Sequence, residues 1–262
     1  MNILGTIHEA KKKEVLCLKE IFDLEWYKYF SHEFERKCFS LKKNLLKKGG
    51  TGIIAEFKRK SPSKGWFKPE DYSAPAVVMD YENYGAAGAS VLTDTEFFGG
   101  DKEDLGVVRA ISNFPLLRKD FIIDEIQIHE SKAYGADVIL LIAAILTTDR
   151  VAELAREAKK YGMEVLLEIH NEQELEHICD EVTMVGVNNR NLNTFEVDID
   201  TSLELIDKIP VDKPAISESG ISDVDTIVTL RQAGYKGFLI GETFMKEGNL
   251  GKAFEEFVNN LK

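Results

Sequence analysis

The fold class predicted by the sequence is α/β, a (β/α)8 (TIM) barrel with extra N-terminal helices, and three observations predict it. Eight short apolar runs recur after about residue 50, amphipathic segments separate them, and a glycine repeatedly ends a helical segment just before the next run, as in YGAAGASVL, AYGADVIL, YGMEVLL and AGYKGFLI. Strands buried on both faces read as continuous Val/Ile/Leu runs, and alternation with helices implies a parallel sheet. Eight such units favour closure into a barrel over an open doubly wound sheet. No GxGxxG opens a helix after the first run, which weakens a dinucleotide-binding reading.

Taken in order, residues 6–20 and 24–37, carrying Leu16, Ile21, Phe22, Trp26, Tyr27 and Phe34, read as two helices preceding the barrel. They belong to an extension, residues 1–48, packed on the barrel, either capping its floor or flank or forming a lid near a substrate. Gly49-Gly50 is the clear linker. The strands follow as TGIIAEF, ASVLT, PLLRKD, ADVILLIA, MEVLLEI, TMVGVN, PAISES and KGFLIG. Between them, TTDRVAELAREAKKYG places Val151, Leu154, Ala155 and Ala158 at helical spacing, with Gly162 as a stop. The 262 residues are expected to form a single domain, a length common for this fold.

Composition narrows the function. With 45 acidic against 33 basic residues the formal charge is -12, which repels nucleic acid and anionic lipid but leaves room for a small phosphorylated substrate at a locally basic mouth. The N-terminus lacks an apolar signal region and no run of about 18 apolar residues occurs, so no membrane partner is expected and the location should be cytoplasmic. Cys17, Cys38 and Cys179 are far apart and read as reduced thiols. His170 and His177 do not share a helix face with a third ligand, so no metal is expected; His129 and the other histidines read as surface or packing residues.

A barrel of this kind carries its active site at the C-terminal strand ends. Because side chains alternate, Glu56 and Lys58 share the parity of Ile54 and point into the lumen, as Lys119 does with Leu117 and Phe121, and Glu168 with Leu166. The sixth strand adds Asn188 and Arg190, the seventh Glu218 and Ser219. Each alone could be a structural ion pair or a solvated charge, but burying several together without a purpose is expensive. Ser219-Gly220-Ile221 and Gly241-Glu242-Thr243 suit a phosphate cup, to which the Lys58 to Ser63 loop could add hydroxyl and cationic contacts; Glu242 is an awkward neighbour for phosphate unless its side chain turns away. Phe98, Phe121 and Leu239, with Leu192 nearby, could wall an aromatic ring or simply pack the core.

These segments closely resemble the indole-3-glycerol phosphate synthase family, through IAEFKRKSPSKG at 54–65, ASVLTDTEFFGG at 89–100, LLRKDFIID at 116–124, LLEIHN at 166–171, GVNNRNL at 186–192, ISESGI at 216–221 and GFLIGETFM at 237–245. The resemblance runs from about residue 50 to the C-terminus, and its first and third elements are the distinctive ones. It implies conversion of 1-(2-carboxyphenylamino)-1-deoxyribulose 5-phosphate to indole-3-glycerol phosphate, carbon dioxide and water, with no cofactor. It also implies Lys119 as general acid, Glu168 as base or electrostatic partner, and Lys58 as a contact for the anthranilate carboxylate. Glu56, Asn188 and Ser219 complete the pocket, with Arg190 at the rim; Ser61, Gly220, Gly241 and Glu242 fall on the family's phosphate contacts. On this reading the cation Lys58 should ease proton release from Lys119, while Glu168 should be ionised at neutral pH. About association with other tryptophan-pathway enzymes the sequence is silent.

Two rivals remain. Another phosphate-binding barrel, such as phosphoribosyl anthranilate isomerase, would share the cup but should carry a Cys/Asp pair, and no cysteine ends a strand here. A non-catalytic phosphate sensor would need the cup without the charged lumen.

Overall fold

A computed structural model describes residues 3–191 and 194–261. Eight parallel strands close into a barrel in chain order: β1 Ile53–Phe57, β2 Gly88–Leu92, β3 Leu116–Lys119, β4 Val138–Ile142, β5 Glu164–Ile169, β6 Met184–Asn188, β7 Ala215–Glu218 and β8 Gly237–Ile240. All eight fall on the predicted runs.

Alternation within these strands sorts side chains into two separate apolar layers. Ala55, Val91, Leu116, Ile139, Leu141, Val165 and Leu167 pack outward against the helices. Ile54, Leu117, Val138, Leu140, Leu166, Met184, Ile216 and Leu239 fill the lumen. A period of two is what a pleated strand buried on both sides imposes, and it validates the parity argument that aims Glu56, Lys119 and Glu168 inward.

The N-terminal segment differs from its expected outline. Helix α1 spans Ile3–Ile21, but α2 covers only Leu24–Phe30, followed by a 3-10 turn at His32–Phe34 and a short α3 at Leu41–Leu45. Ser31 ends α2 because its hydroxyl is taken up elsewhere: it donates to the Ala133 carbonyl at 2.6 Å and accepts from the Glu33 N–H. The segment both plugs the floor and reaches the mouth. Leu41 and Leu45 close the bottom of the barrel, and the strand-opening glycines make room for them. A Cβ at Gly88 would lie 2.6 Å from Leu41 Cδ1, and one at Gly237 3.2 Å from Leu45 Cδ2. At the other end, Ile7 joins the lumen cluster with Ile3 and Leu4 beside it.

Two further departures lie in the connections. The loop after β1 contains a small antiparallel hairpin, Lys60–Ser61 with Gly65–Trp66, turned by Gly65 at φ +73. Between β5 and β6 the crossover is a 3-10 run, Glu172–His177, rather than an α-helix. The outer ring is completed by α4 Ala74–Asn83, α6 Glu103–Ile111, α7 Glu125–Ala133, α8 Thr148–Lys160, α9 Asp200–Leu205, α10 Val224–Ala233 and α12 Leu250–Leu261, while the short α5 Thr95–Phe98 and α11 Glu242–Met245 lie in the loops at the strand ends. No described helix is long and apolar enough to cross a membrane.

Candidate active site

The C-terminal strand ends surround a cavity of about 530 Å3, within the range of small-molecule sites. Glu56, Lys58, Ser61, Phe98, Lys119, Phe121, Glu168, Asn188, Arg190, Glu218, Ser219, Gly220, Leu239, Gly241 and Glu242, all expected from the sequence, line it. Leu192 lies outside the described residues.

At its base sits a charged cluster centred on Lys119. The Nζ of Lys119 donates to Glu168 Oε2 at 2.8 Å and to Glu218 Oε2 at 3.0 Å. Glu168 Oε1 accepts from Asn188 Nδ2 at 3.2 Å, and Asn188 Oδ1 in turn accepts the Arg190 N–H at 3.0 Å. On the opposite wall Lys58 Nζ donates to Glu56 Oε1 at 2.5 Å. Two glycines admit the carboxylates: a Cβ on Gly186 would lie 2.1 Å from Glu218 Oε1, and one on Gly241 2.5 Å from Glu56 Oε1. Gly241, expected as a phosphate turn, therefore also makes space for a carboxylate.

These neighbours overturn one expectation. Burial opposes the Lys119 charge, but Glu168, then Glu218 and Glu56, outweigh it and raise its pKa above the ordinary lysine value. Lys58 is itself paired with Glu56 at 2.5 Å, and the direction at Lys119 is set by the carboxylates around it, opposite to the expected easing of proton release. Glu168 fares as expected: burial would raise it, yet Lys119 and then His170 hold it below the usual carboxylate range. Glu218 goes the other way. Burial, with Glu168 and Glu56 adding repulsion, pushes it up to about 7 against the pull of Lys119. The asymmetry has a structural source: Glu168 has donors on both oxygens, whereas Glu218 Oε1 is buried with no hydrogen-bond partner among the described residues.

One side of the cavity is apolar and continuous with the lumen core. Phe98 and Phe121 stand 6.0 Å apart between ring centroids, with Leu92, Leu140, Ile142 and Leu239 around them. At the far side, Ser219 and Gly220 both take left-handed backbone, φ 68 and 77. For a non-glycine this costs roughly 1–2 kcal/mol, and the Asn189 amide, donating to the Ser219 carbonyl at 3.1 Å, helps hold it. Glu242 lies at the rim of the cavity with its carboxylate taken up by cations, Lys246 at 2.7 Å and Arg190 at 3.4 Å.

Three features escaped the sequence reading. Ile3, Leu4 and Ile7 of α1 line the mouth. Lys11, buried below them, reaches Asp120 at 2.8 Å and Asp94 at 3.0 Å, tying α1 to the ends of β2 and β3. His170 is no packing residue: its Nε2 lies 3.3 Å from Glu168 Oε1. The parity that singled out Glu168 reaches His170 one step further on, so the signal was available. His129 and His177 do pack structurally, against Glu157 and against the Glu174 and Leu146 carbonyls. Cys17, Cys38 and Cys179 are free thiols. Among the described residues no group of three or more His, Cys, Asp or Glu side chains is arranged to hold a metal ion.

A closed βα barrel with a lysine held between glutamates at its mouth, an aromatic wall on one side and a strained glycine turn on the other defines the class: a barrel enzyme built for proton transfer on a small molecule. Solved structures bear out the fold. A 3-hexulose-6-phosphate synthase aligns with TM-score 0.65 at 13% identity over 81% of this chain and all of that one, and a tryptophan synthase chain from Pyrococcus furiosus with TM-score 0.61 at 16% over 80% and 97%. The chain belongs to the indole-3-glycerol phosphate synthase family, whose model matches residues 4–257. It is 43% identical over 261 residues to the indole-3-glycerol phosphate synthase of Bacteroides thetaiotaomicron, covering 100% of this chain and 99% of that one. It is likewise 43% identical to that of Desulfotalea psychrophila, over 97% and 98%. The family match decides against the isomerase and sensor rivals.

Proposed function

We propose that this chain closes the indole ring, converting 1-(2-carboxyphenylamino)-1-deoxyribulose 5-phosphate to indole-3-glycerol phosphate, carbon dioxide and water as a carbon–carbon lyase. The observation that carries the proposal is the Lys119 ammonium, clamped between Glu168 and Glu218 next to the Phe98–Phe121 wall. In this reading the wall receives the anthranilate ring, and the turns at Ser219-Gly220 and Gly241-Glu242, with Ser61, receive the phosphate. Lys58, with Glu56 beside it, meets the anthranilate carboxylate.

Ring closure forms a bond from the carboxylate-bearing ring carbon to the C2' carbonyl carbon, and negative charge develops on the carbonyl oxygen. Lys119 donates its proton there. An alkoxide is far more basic than any amine, so an ammonium with a raised pKa still gives up its proton, and until then its charge stabilises the oxygen. Loss of carbon dioxide restores the electron pair to the ring. Dehydration then needs a proton for the departing hydroxyl and a base for the C1' proton; ionised Glu168 suits the second task. Holding ring and carbonyl together supplies a further part of the acceleration.

The partner is thus a small phosphorylated molecule, neither nucleic acid nor membrane, and free thiols suit a reducing cytoplasm. The test is a fluorescence assay of indole-3-glycerol phosphate formation with wild type and Lys119→Ala. Turnover by wild type and a fall of about 10²–10⁴-fold in kcat for the variant are expected. Binding of the substrate by wild type without product would refute the proposed reaction, and full activity in the variant would refute the role of Lys119.

A further inference from the structure

We propose that His170 is a positioning residue for Glu168, anchored by Glu174, so that a chain Glu174–His170–Glu168–Lys119 orients the carboxylate that faces the reacting lysine. The inference rests on the reaction proposed above.

His170 follows the last residue of β5 and keeps the inward parity of Leu166 and Glu168. Its ring lies between two carboxylates: Nδ1 is 3.2 Å from Glu174 Oε2, and Nε2, which is buried and makes no hydrogen bond among the described residues, faces Glu168 Oε1 at an ion-pair distance of 3.3 Å. The same Glu174 oxygen accepts the His170 backbone N–H at 2.7 Å, so the carboxylate that meets the ring is itself held in place by the main chain. Glu174 is fixed in turn by Asn171, whose amide donates to Oε1 at 2.9 Å and whose carbonyl oxygen accepts the Glu174 N–H at 3.2 Å. Two oxygens of Glu168 are thereby assigned to two tasks. Oε2 receives Lys119 from β3, and Oε1 receives Asn188 from β6 and faces the His170 ring at ion-pair distance.

The groups facing this arrangement decide the charge on the ring. Beside it stand Glu168 and Glu174; β6 presents the uncharged Asn188, β4 the aliphatic Ile142 opposite Glu168, and Lys119 acts only through the far oxygen. An imidazole between two carboxylates holds both protons. Burial works against that charge, but Glu168 and Glu174 outweigh it and raise the ring to about 9. A cation on Oε1 explains why Glu168, not Glu218, keeps the negative charge that the single ammonium of Lys119 can balance.

The test compares wild type, His170→Ala and His170→Gln in kcat and KM from pH 6 to 10, alongside ring NMR of the folded proteins. The His170 resonance, recognised by its absence in His170→Gln, is expected to titrate near pH 9 in wild type and lower in Glu174→Gln. We expect kcat to fall about tenfold in His170→Ala with KM within about twofold. Glutamine, which can still donate to Glu168, should recover part of the loss but lack the alkaline limb near pH 9. A purely structural role would lower thermal stability and leave the pH profile of kcat unchanged, and that outcome overturns the proposal. So does a ring titrating at the ordinary value of about 6.5. Absence of wild-type turnover would sink the assigned reaction instead, while the NMR titration would still decide whether His170 is coupled to the two carboxylates.

Discussion

Glu168 and Glu218 face one ammonium, and their remaining oxygens separate them. Glu168 is met by Asn188 and His170 on its second oxygen; Glu218 is met by the bare backbone of Gly186. The folded state therefore favours protonated Glu218, with a pKa of about 7 against a reference of 4.5. Below pH 4.5 the group is protonated folded or unfolded and burial of its charge costs nothing. As the pH rises through 7 the protonated form's contribution is lost and the fold bears a buried carboxylate. Glu218→Gln should accordingly raise Tm at pH 8 by a few degrees, at about 2–4 °C per kcal/mol for a chain of this size, with the gain vanishing near pH 4.5. Calorimetry at the two pH values checks this; a variant less stable than wild type at pH 8 would contradict it.

At the scale of elements, the first half of α1 carries two tasks on its buried face. Ile3, Leu4 and Ile7 wall the mouth, and one turn on Lys11 pins the helix to Asp94 and Asp120. Asp120 also pairs with Arg118 at 3.0 Å, and the two cations hold its carboxyl well below the usual range against burial. Lys11→Met removes one partner from a buried network and strands Asp94, a change that costs about 3–5 kcal/mol. The loosened first turn should also raise KM more than it lowers kcat. Urea unfolding and steady-state kinetics measure the two effects, and a variant with wild-type stability and KM would show that α1 is not held by this network. The sequence could not foresee the task, because Lys11 lies among AKKK and carries no mark distinguishing it from Lys12, which is exposed and paired with Glu9 at 2.8 Å. The limit of α2 was hidden for the same reason: Ser31 ends the helix through a carbonyl 102 residues away.

For the molecule as a whole, residues 1–48 and the barrel should behave as one cooperative domain, since Leu41 and Leu45 fill the floor beneath Ile54, Leu117 and Ile216. A single calorimetric transition whose van't Hoff and calorimetric enthalpies agree is expected for the full chain. A chain lacking residues 1–48 should lose that transition, because an unplugged lumen exposes apolar surface that barrel closure depends on burying. Two separate transitions in the full chain would instead make the extension an independent unit.

The strands, the closed barrel and the inward carboxylates and lysines were legible because they follow from local periodicity: a pleated strand alternates its faces whatever surrounds it, so parity alone aimed Glu56, Lys119 and Glu168 into the lumen. Tertiary structure alone decided which of the charges neutralise one another. Lys58 was expected to act on Lys119 and is instead taken up by Glu56; Glu168 and Glu218 look alike in sequence yet titrate in opposite directions. Electrostatic energies depend on distance and burial across strands dozens of residues apart, and no spacing along the chain encodes those.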